Sequence, residues 1–226
     1  MKFVKHIPNT ITSMNLLCGA LGVIFAFKGA LDIAFYLMLA GAVCDFCDGF
    51  AARILKAYSP MGKELDSLAD LITFGFLPSI MLYKCMDIYH PGEWYCYLPL
   101  IIVVFSALRL AKFNIDETQR EEFEGLPTPG AAILCLSVAA ICEMYGIVVE
   151  QEWLCLLSVL TAAMLVSPVR MFSFKFKSWR WSNNKLRYIF LVSCILAISL
   201  LRLYAIPVII VLYIAISTIR WIIQKR

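Results

Sequence analysis

Apolar stretches of about 20 residues recur from one end of the chain to the other, separated by short polar breaks. Each is long enough to cross a hydrocarbon core of roughly 30 Å as a helix. This recurrence constrains the fold more than any motif, because a backbone in lipid must satisfy its own hydrogen bonds, and a helix does so within one segment. The spans read as approximately 11–28, 31–55, 66–86, 94–112, 129–148, 151–169, 187–203 and 205–223. They predict an all-α fold, a polytopic membrane helix bundle of about eight transmembrane helices. Of the 226 residues 62% are hydrophobic and 16% charged, well away from the usage of soluble domains. No room is left for a sizeable soluble domain, so a single integral-membrane domain over residues 1–226 is expected.

The breaks carry turn and charge signals: Lys28-Gly29, Tyr58-Ser59-Pro60, Tyr89 to Gly92, a polar segment from Asn114 to Gly125, and a basic segment from Arg170 to Arg187. A tight turn near Arg202 to Ala205 divides the last two spans. If the spans alternate, all but three of the 20 Lys and Arg fall on the side that holds both ends of the chain, the exceptions being Lys28, Lys84 and Arg202. The positive-inside rule then makes both termini cytoplasmic in a cell-membrane protein. The net charge of +4 follows from topology and from attraction to anionic headgroups, so membrane lipids rather than nucleic acid are the expected charged partner. The basic stretch Lys175 to Arg187, with Trp179 and Trp181, reads as an interfacial anchor. The opening MKFVKH could begin a secretory signal, but the apolar run continues to Phe27 with no small-residue cleavage site, and Leu17 before Cys18 does not suit a lipoprotein site. Retention of the first span is expected.

Cys44 to Arg53 reads CDFCDGFAAR and superimposes CxxC on DxxDG. There is no second CxxC, and the two histidines, His6 and His90, fall on opposite sides of the membrane in this topology, so a zinc site would lack ligands. Most of the nine cysteines lie inside apolar spans, where free Cys packs as a small hydrophobe. The carboxylates carry more information, since a charge near the hydrocarbon core costs at least about 2.5 kcal/mol on insertion scales. Asp45 and Asp48 share a helix face with Gly49 and Ala52, a shallow notch beside two carboxylates. Asp66 and Asp70 repeat the pattern in mirror form at the start of the third span, with Gly62 one turn earlier. The connection Lys56 to Lys63 is short enough to hold the two helices antiparallel and bring the pairs together. Four converging carboxylates require a cation, and an all-oxygen set suits Mg²⁺ or Mn²⁺, with room for two ions. Because Mg²⁺ completes its shell with water or phosphate oxygens, the expected ligand is a phosphate ester.

The stretch DFCDGFAARILKAYSPMGKELDSLAD, Asp45 to Asp70, matches every fixed position of DxxDGxxARx8GxxxDxxxD, and in this it resembles the CDP-alcohol phosphatidyltransferase family. PNTITSMNLLCGALGVI (Pro8 to Ile24), FGFLPS (Phe74 to Ser79), ALRLAKFN (Ala107 to Asn114) and GLPTPGAA (Gly125 to Ala132) resemble its phosphatidylserine synthase branch, with a weaker likeness in VSPVRMFSFK, Val166 to Lys175. The resemblance implies transfer of the phosphatidyl group of CDP-diacylglycerol to the hydroxyl of L-serine with release of CMP. It implies metal binding by Asp45, Asp48, Asp66 and Asp70, with Asp70 also the proton acceptor. It implies CDP-lipid contacts at Gly49, Arg53 and Ser59, a close approach of the nucleotide at Gly62, and a homodimer. Ala52 adds space for the nucleotide, and Arg53 suits a diphosphate because guanidinium pairs bidentately with phosphate.

Serine carries a carboxylate and an ammonium, so a cation facing the metal site is expected, and Arg109 near the cytoplasmic end of the fourth span is the first candidate. A snorkelling Arg at a helix end is the competing reading. The segment FNIDETQREEFEGLPTPG could close over the site, stiffened by Pro127 and Pro129, while its acidic run Glu121 to Glu124 reads as a solvated loop surface. Two other functions are weighed. One changes the acceptor to inositol phosphate or glycerol 3-phosphate, which would favour extra cations near the site; the PTPG and RLAKFN segments argue against it. The other is a divalent-cation transporter or binding protein, which predicts acidic residues deep in several spans rather than at one interface.

Overall fold

A computed structural model of the chain describes residues 6–115, 123–171 and 181–225. The centre of the polar segment read as a flap, with most of its acidic run, and the basic stretch up to residue 180 lie outside the described residues. The described chain is an all-α membrane bundle of the rods α1 (His6–Phe27), α2 (Leu31–Ile54), α3 (Pro60–Asp87), α4 (Trp94–Ile115), α5 (Thr128–Tyr145), α6 (Gln151–Leu165), α7 (Trp181–Leu201) and α8 (Ala205–Lys225). Each of the eight apolar stretches read from the sequence is helical. Six helical stretches are long and apolar enough to cross a membrane; one of these, Tyr188–Gln224, runs through α7 and α8, while α6 is shorter. The tight turn expected between α7 and α8 is the single 3-10 turn Arg202–Tyr204, entered through Arg202 at φ +51°.

Of the rods that begin earlier than expected, two do so for a visible local reason. Pro60 stands at the first position of α3, where a missing N–H costs nothing, and Ser59 caps the helix by accepting from Gly62 N at 3.0 Å. In α1, Pro8 falls within the first turn, where a proline is likewise tolerated. The connection between α2 and α3 shrinks to residues 55–59, with Lys56 in the left-handed region at φ +48°.

The bundle is built inside-out relative to a soluble helix bundle. The buried stripe of α1 is Pro8, Thr12, Asn15, Gly19, Gly22 and Ala26, small or polar side chains at helical spacing, while Met14, Leu17, Leu21, Ile24 and Phe27 point outward. Lipid is as apolar as leucine, so small residues that let backbones approach take the inner face. α1 packs along both α2 and α3. Thr73 of α3 is the tightest point of that contact: a Cβ at Gly19 would strike its side chain and backbone, and one at Gly41 of α2 would lie 2.7 Å from its Cγ2. The remaining rods enclose a core on the other flank of α3, with α5 against α2, α3 and α8, and α6 against α4. α7 makes its main helix contact with α8, and its side chains Ile189, Val192, Ile195 and Leu200 are exposed toward the space that lipid would fill.

Two irregularities bear on function. In α3 the turns Leu71–Phe76 are widened to π-type hydrogen bonding, directly after Asp70 and ahead of Pro78, where the missing N–H and ring crowd a regular turn. A minimal antiparallel ladder, β1 (Phe123–Glu124) with β2 (Arg170–Met171), ties the segment before α5 to the one after α6. Gly125 follows at φ +74° and donates to Val169 O, and a side chain there would collide with the Leu165 carbonyl.

Candidate active site

α2 and the first turns of α3 hardly touch; α1 packs against both and forms the floor of the cleft between them. Asp45 and Asp48 lie one turn apart on α2, and Asp48 faces that cleft with Asp66 of α3. The three offer carboxylate oxygens all within 4.8 Å of one another. Like charges at that spacing repel by about 3.5 kcal/mol per pair at an effective dielectric of about 20. Asp48 is 5% exposed, and its Oδ2 and Asp66 Oδ1 are buried without a hydrogen-bond partner. Orphaned, crowded carboxylate oxygens fit a hard divalent cation, which both neutralises the repulsion and fills the vacant acceptor positions. The fourth expected ligand, Asp70, lies one turn beyond Asp66 and outside that group of three; its Oδ1 accepts from Asn15 Nδ2 at 3.2 Å.

Asp48 and Asp66 border a cavity of about 520 Å³ between the end of α2 and the start of α3. Its walls include Gly49, Ala52, Ser59 and Gly62, four of the five residues read from the sequence as contacts of a CDP-lipid. A Cβ at Gly49 would meet nothing within 4 Å, so glycine there widens the cleft. Gly62 is different: a Cβ would lie 2.9 Å from Asn9 Oδ1 and 3.0 Å from Ser59 Oγ. The fifth residue, Arg53, is exposed on the last turn of α2 and does not line the cavity, although Ala52 beside it does. Its long side chain leaves from the rim.

Arg109 sits on α4, half-buried, with Nη1 donating to Thr128 Oγ1 at 3.3 Å and Nε buried without a partner. It borders a small cavity of about 20 Å³ with Lys112, Glu124 and Ser167, and Lys112 Nζ pairs with Glu124 at 3.0 Å. The end of α4 is tied to the site-bearing turns of α3. Lys63 Nζ donates to Asn114 O at 2.7 Å, and Asn114 Nδ2 donates to Ser67 Oγ at 2.9 Å. Cys44 is half-buried and Cys47 exposed, both as free thiols outside the carboxylate trio.

The sequence reading assigned no role to Asn9, Thr12 or Asn15, three polar side chains of α1 that the fold turns toward the cleft or the acidic face. The available signal was their polarity within a membrane span, where an amide or hydroxyl needs a reason to be present.

The sequence profile of CDP-alcohol phosphatidyltransferases matches residues 5–169, most of the chain and all of the cleft just described. The chain belongs to the CDP-alcohol phosphatidyltransferase family. Among curated members, it is 31% identical over 220 residues to the CDP-diacylglycerol–serine O-phosphatidyltransferase of Helicobacter pylori (strain ATCC 700392 / 26695), covering 95% of this chain and 90% of that one. It is 38% identical over 135 residues to the protein of the same name from Bacillus subtilis (strain 168), covering 60% of this chain and 75% of the other. It is also similar to the archaetidylserine synthase of Methanothermobacter thermautotrophicus, at 32% over 133 residues, 56% of this chain and 54% of that one. As a CDP-alcohol phosphatidyltransferase of this architecture, the chain is a multi-pass membrane protein.

Proposed function

We infer that the chain is a CDP-diacylglycerol–serine O-phosphatidyltransferase, transferring the phosphatidyl group of CDP-diacylglycerol to the hydroxyl of L-serine and releasing CMP. The observation that carries the reading is the meeting of three crowded carboxylates with a nucleotide-sized cleft whose walls include Gly49, Ala52, Ser59 and Gly62. Its similarity to serine transferases along nearly the whole chain supports serine as the acceptor.

In this reading Asp45, Asp48, Asp66 and Asp70 hold Mg²⁺ or Mn²⁺, two ions in all. When bound, the metal supplies electrostatic stabilisation of the charge that develops on the diphosphate under attack and on departing CMP. Gly49, Ala52 and Gly62 leave the cytidine nucleotide room at the backbone, and Ser59 contacts the CDP-lipid from the cap of α3. Arg53 pairs with the phosphates from the rim of the cleft, its planar fork matching two oxygens at once. Asp70 accepts the proton of the serine hydroxyl as oxygen attacks phosphorus, and Arg109 meets the serine carboxylate. The acyl chains stay in the bilayer. Of the basic residues, all but Lys28, Lys84 and Arg202 fall on the side of the cleft if the spans alternate, which supports a site facing the cytoplasm at the cell membrane. The reading includes one integral-membrane domain over residues 1–226 and a homodimer.

The test is purified protein in vesicles containing CDP-diacylglycerol with Mg²⁺ or Mn²⁺, given serine, inositol phosphate or glycerol 3-phosphate in turn. CMP release with serine alone is expected. Release only with a phosphorylated acceptor reassigns the substrate, and no release with any acceptor removes the transferase reading.

A further inference from the structure

Asn15 is fully buried in the middle of α1 and is held through two of its polar groups, while its Oδ1 is buried without a hydrogen-bond partner. Its Nδ2 donates to Asp70 Oδ1 at 3.2 Å, a contact across 55 residues of sequence. Its backbone carbonyl accepts from Thr73 Oγ1 at 3.0 Å, and Thr73 is itself fully buried. Its Oδ1 lies 2.9 Å from where a Cβ on Gly41 would stand, so glycine is what lets α2 close over the amide. Thr73 in turn is seated between Gly19 and Gly41, neither of which could carry a side chain without displacing it. The hydroxyl of Thr73 and the carboxylate of Asp70 belong to successive turns of α3, and the widened turn begins between them at Leu71. A π-type turn changes the angular phase of the residues on either side of it. Asn15 spans that junction, its main chain fixed to one side and its side chain to the other.

We propose that Asn15 is the positioning residue of Asp70: by occupying Oδ1 it fixes the rotation of the carboxylate and leaves Oδ2 as the oxygen available to metal or to the serine proton. This rests on the reading of Asp70 as ligand and proton acceptor given above. A buried amide is suited to the task because it donates to a carboxylate without adding charge to a cluster already crowded with it. A lysine in its place would cancel one of the charges meant for the cation, and an aspartate would add a fifth carboxylate to the four already there. Thr73 acts one step further out, through the Asn15 backbone.

The experiment is a double-mutant cycle on Mn²⁺ affinity, read by electron paramagnetic resonance on the purified full-length protein, together with steady-state CMP release. Asn15→Leu keeps the branched shape and heavy-atom count of the side chain and removes the donor. It is expected to weaken Mn²⁺ binding and lower kcat by roughly 10- to 100-fold, the range for groups that orient metal ligands, while the KM for CDP-diacylglycerol stays within about threefold. Asp70→Asn alone should weaken Mn²⁺ binding by a comparable factor, and combining the two should weaken it no further, since both remove the same oriented oxygen. Asn15→Asp should not restore activity. Additive losses of Mn²⁺ affinity in the double variant, or a kcat for Asn15→Leu equal to the parent, would overturn the proposal. Thr73→Val and Thr73→Ser give a second route if Asn15→Leu does not fold. The valine variant is expected to lower kcat and the serine variant to restore it, and equal behaviour of the two overturns the chain from Thr73 to Asp70. The Mn²⁺ cycle does not depend on the acceptor, so a protein that releases no CMP with any alcohol but shows non-additive Mn²⁺ binding refutes the transferase reading and leaves Asn15 in its place.

Discussion

Ser59 Oγ accepts a hydrogen bond from Gly62 N at 3.0 Å, and these two residues, both read as nucleotide contacts, form the cap that starts α3. The cap and the cleft wall are therefore one structure. Gly62→Ala would place a methyl 2.9 Å from Asn9 Oδ1 and 3.0 Å from Ser59 Oγ, closing the neck of the cavity. Overpacking of about 1–3 kcal/mol corresponds to a roughly 5- to 150-fold rise in the KM for CDP-diacylglycerol. An unchanged KM would show that the nucleotide sits elsewhere. Ser59→Ala, by contrast, loses about 1 kcal/mol of capping and should lower the melting temperature in detergent.

Asp45→Asn removes one of three carboxylates whose oxygens lie within 4.8 Å. In chelator the variant is expected to melt at a higher temperature than the parent, because a like-charge repulsion is relieved. It should lose the stabilisation that added Mn²⁺ gives the parent, along with most CMP release. A variant that melts lower in chelator would mean that the trio is already neutralised by protons or by neighbouring cations.

Chelation should abolish transfer by the parent protein, and Mg²⁺ or Mn²⁺ should restore it. Cys44→Ser with Cys47→Ser should leave activity within about twofold and melting nearly unchanged, as expected for surface or packing positions. A folded but inactive double-Cys variant would return the thiols of the CDFCDGFAAR stretch to the mechanism.

Gly41→Ala tests the packing beneath the site. The added methyl meets Thr73 Cγ2 at 2.7 Å and Asn15 Oδ1 at 2.9 Å, both on buried side chains. A destabilisation of about 1–3 kcal/mol is expected, seen as a lower melting temperature, with kcat falling more than the KM for CDP-diacylglycerol. Gly49→Ala meets nothing within 4 Å of its Cβ and should leave melting unchanged while raising that KM. The two substitutions separate glycine as packing from glycine as space for a ligand.

Arg109→Gln should raise the KM for serine by about tenfold or more, the cost of losing a charge-assisted hydrogen bond of about 1.5–3 kcal/mol, with the KM for CDP-diacylglycerol little changed. If Arg109 merely anchors α5 through Thr128, both constants stay level and melting falls.

The apolar runs carried the fold because length and hydropathy are the same signal that lipid reads, so all eight stretches recur as helices. Their ends were less legible: the cap at Ser59 and the proline at Pro60 set the start of α3 six residues before the apolar run at Asp66 does. The chemistry of the site lay in the spacing of Asp45, Asp48 and Asp66, since one turn on each of two helices joined by a short connection suffices to bring them together across the cleft. The support beneath them was not visible in that spacing. Asn15 and Thr73 act across 58 residues of chain and through glycines whose only function is to be absent, and neither periodicity nor motif encodes a contact made by what a side chain lacks. Asp70, outside the trio, bonds to that same Asn15 on a helix that the acidic motif does not include.

The confinement of the carboxylates to the end of α2 and the beginning of α3 has a consequence for the membrane as a whole. If the site faces the cytoplasm as proposed, a headgroup exchanged at that level does not pass the midplane, so the new lipid is delivered to the leaflet that supplied the old one. On the proposed reading each turnover leaves the two leaflets chemically less alike, and evening them out requires a separate transbilayer step.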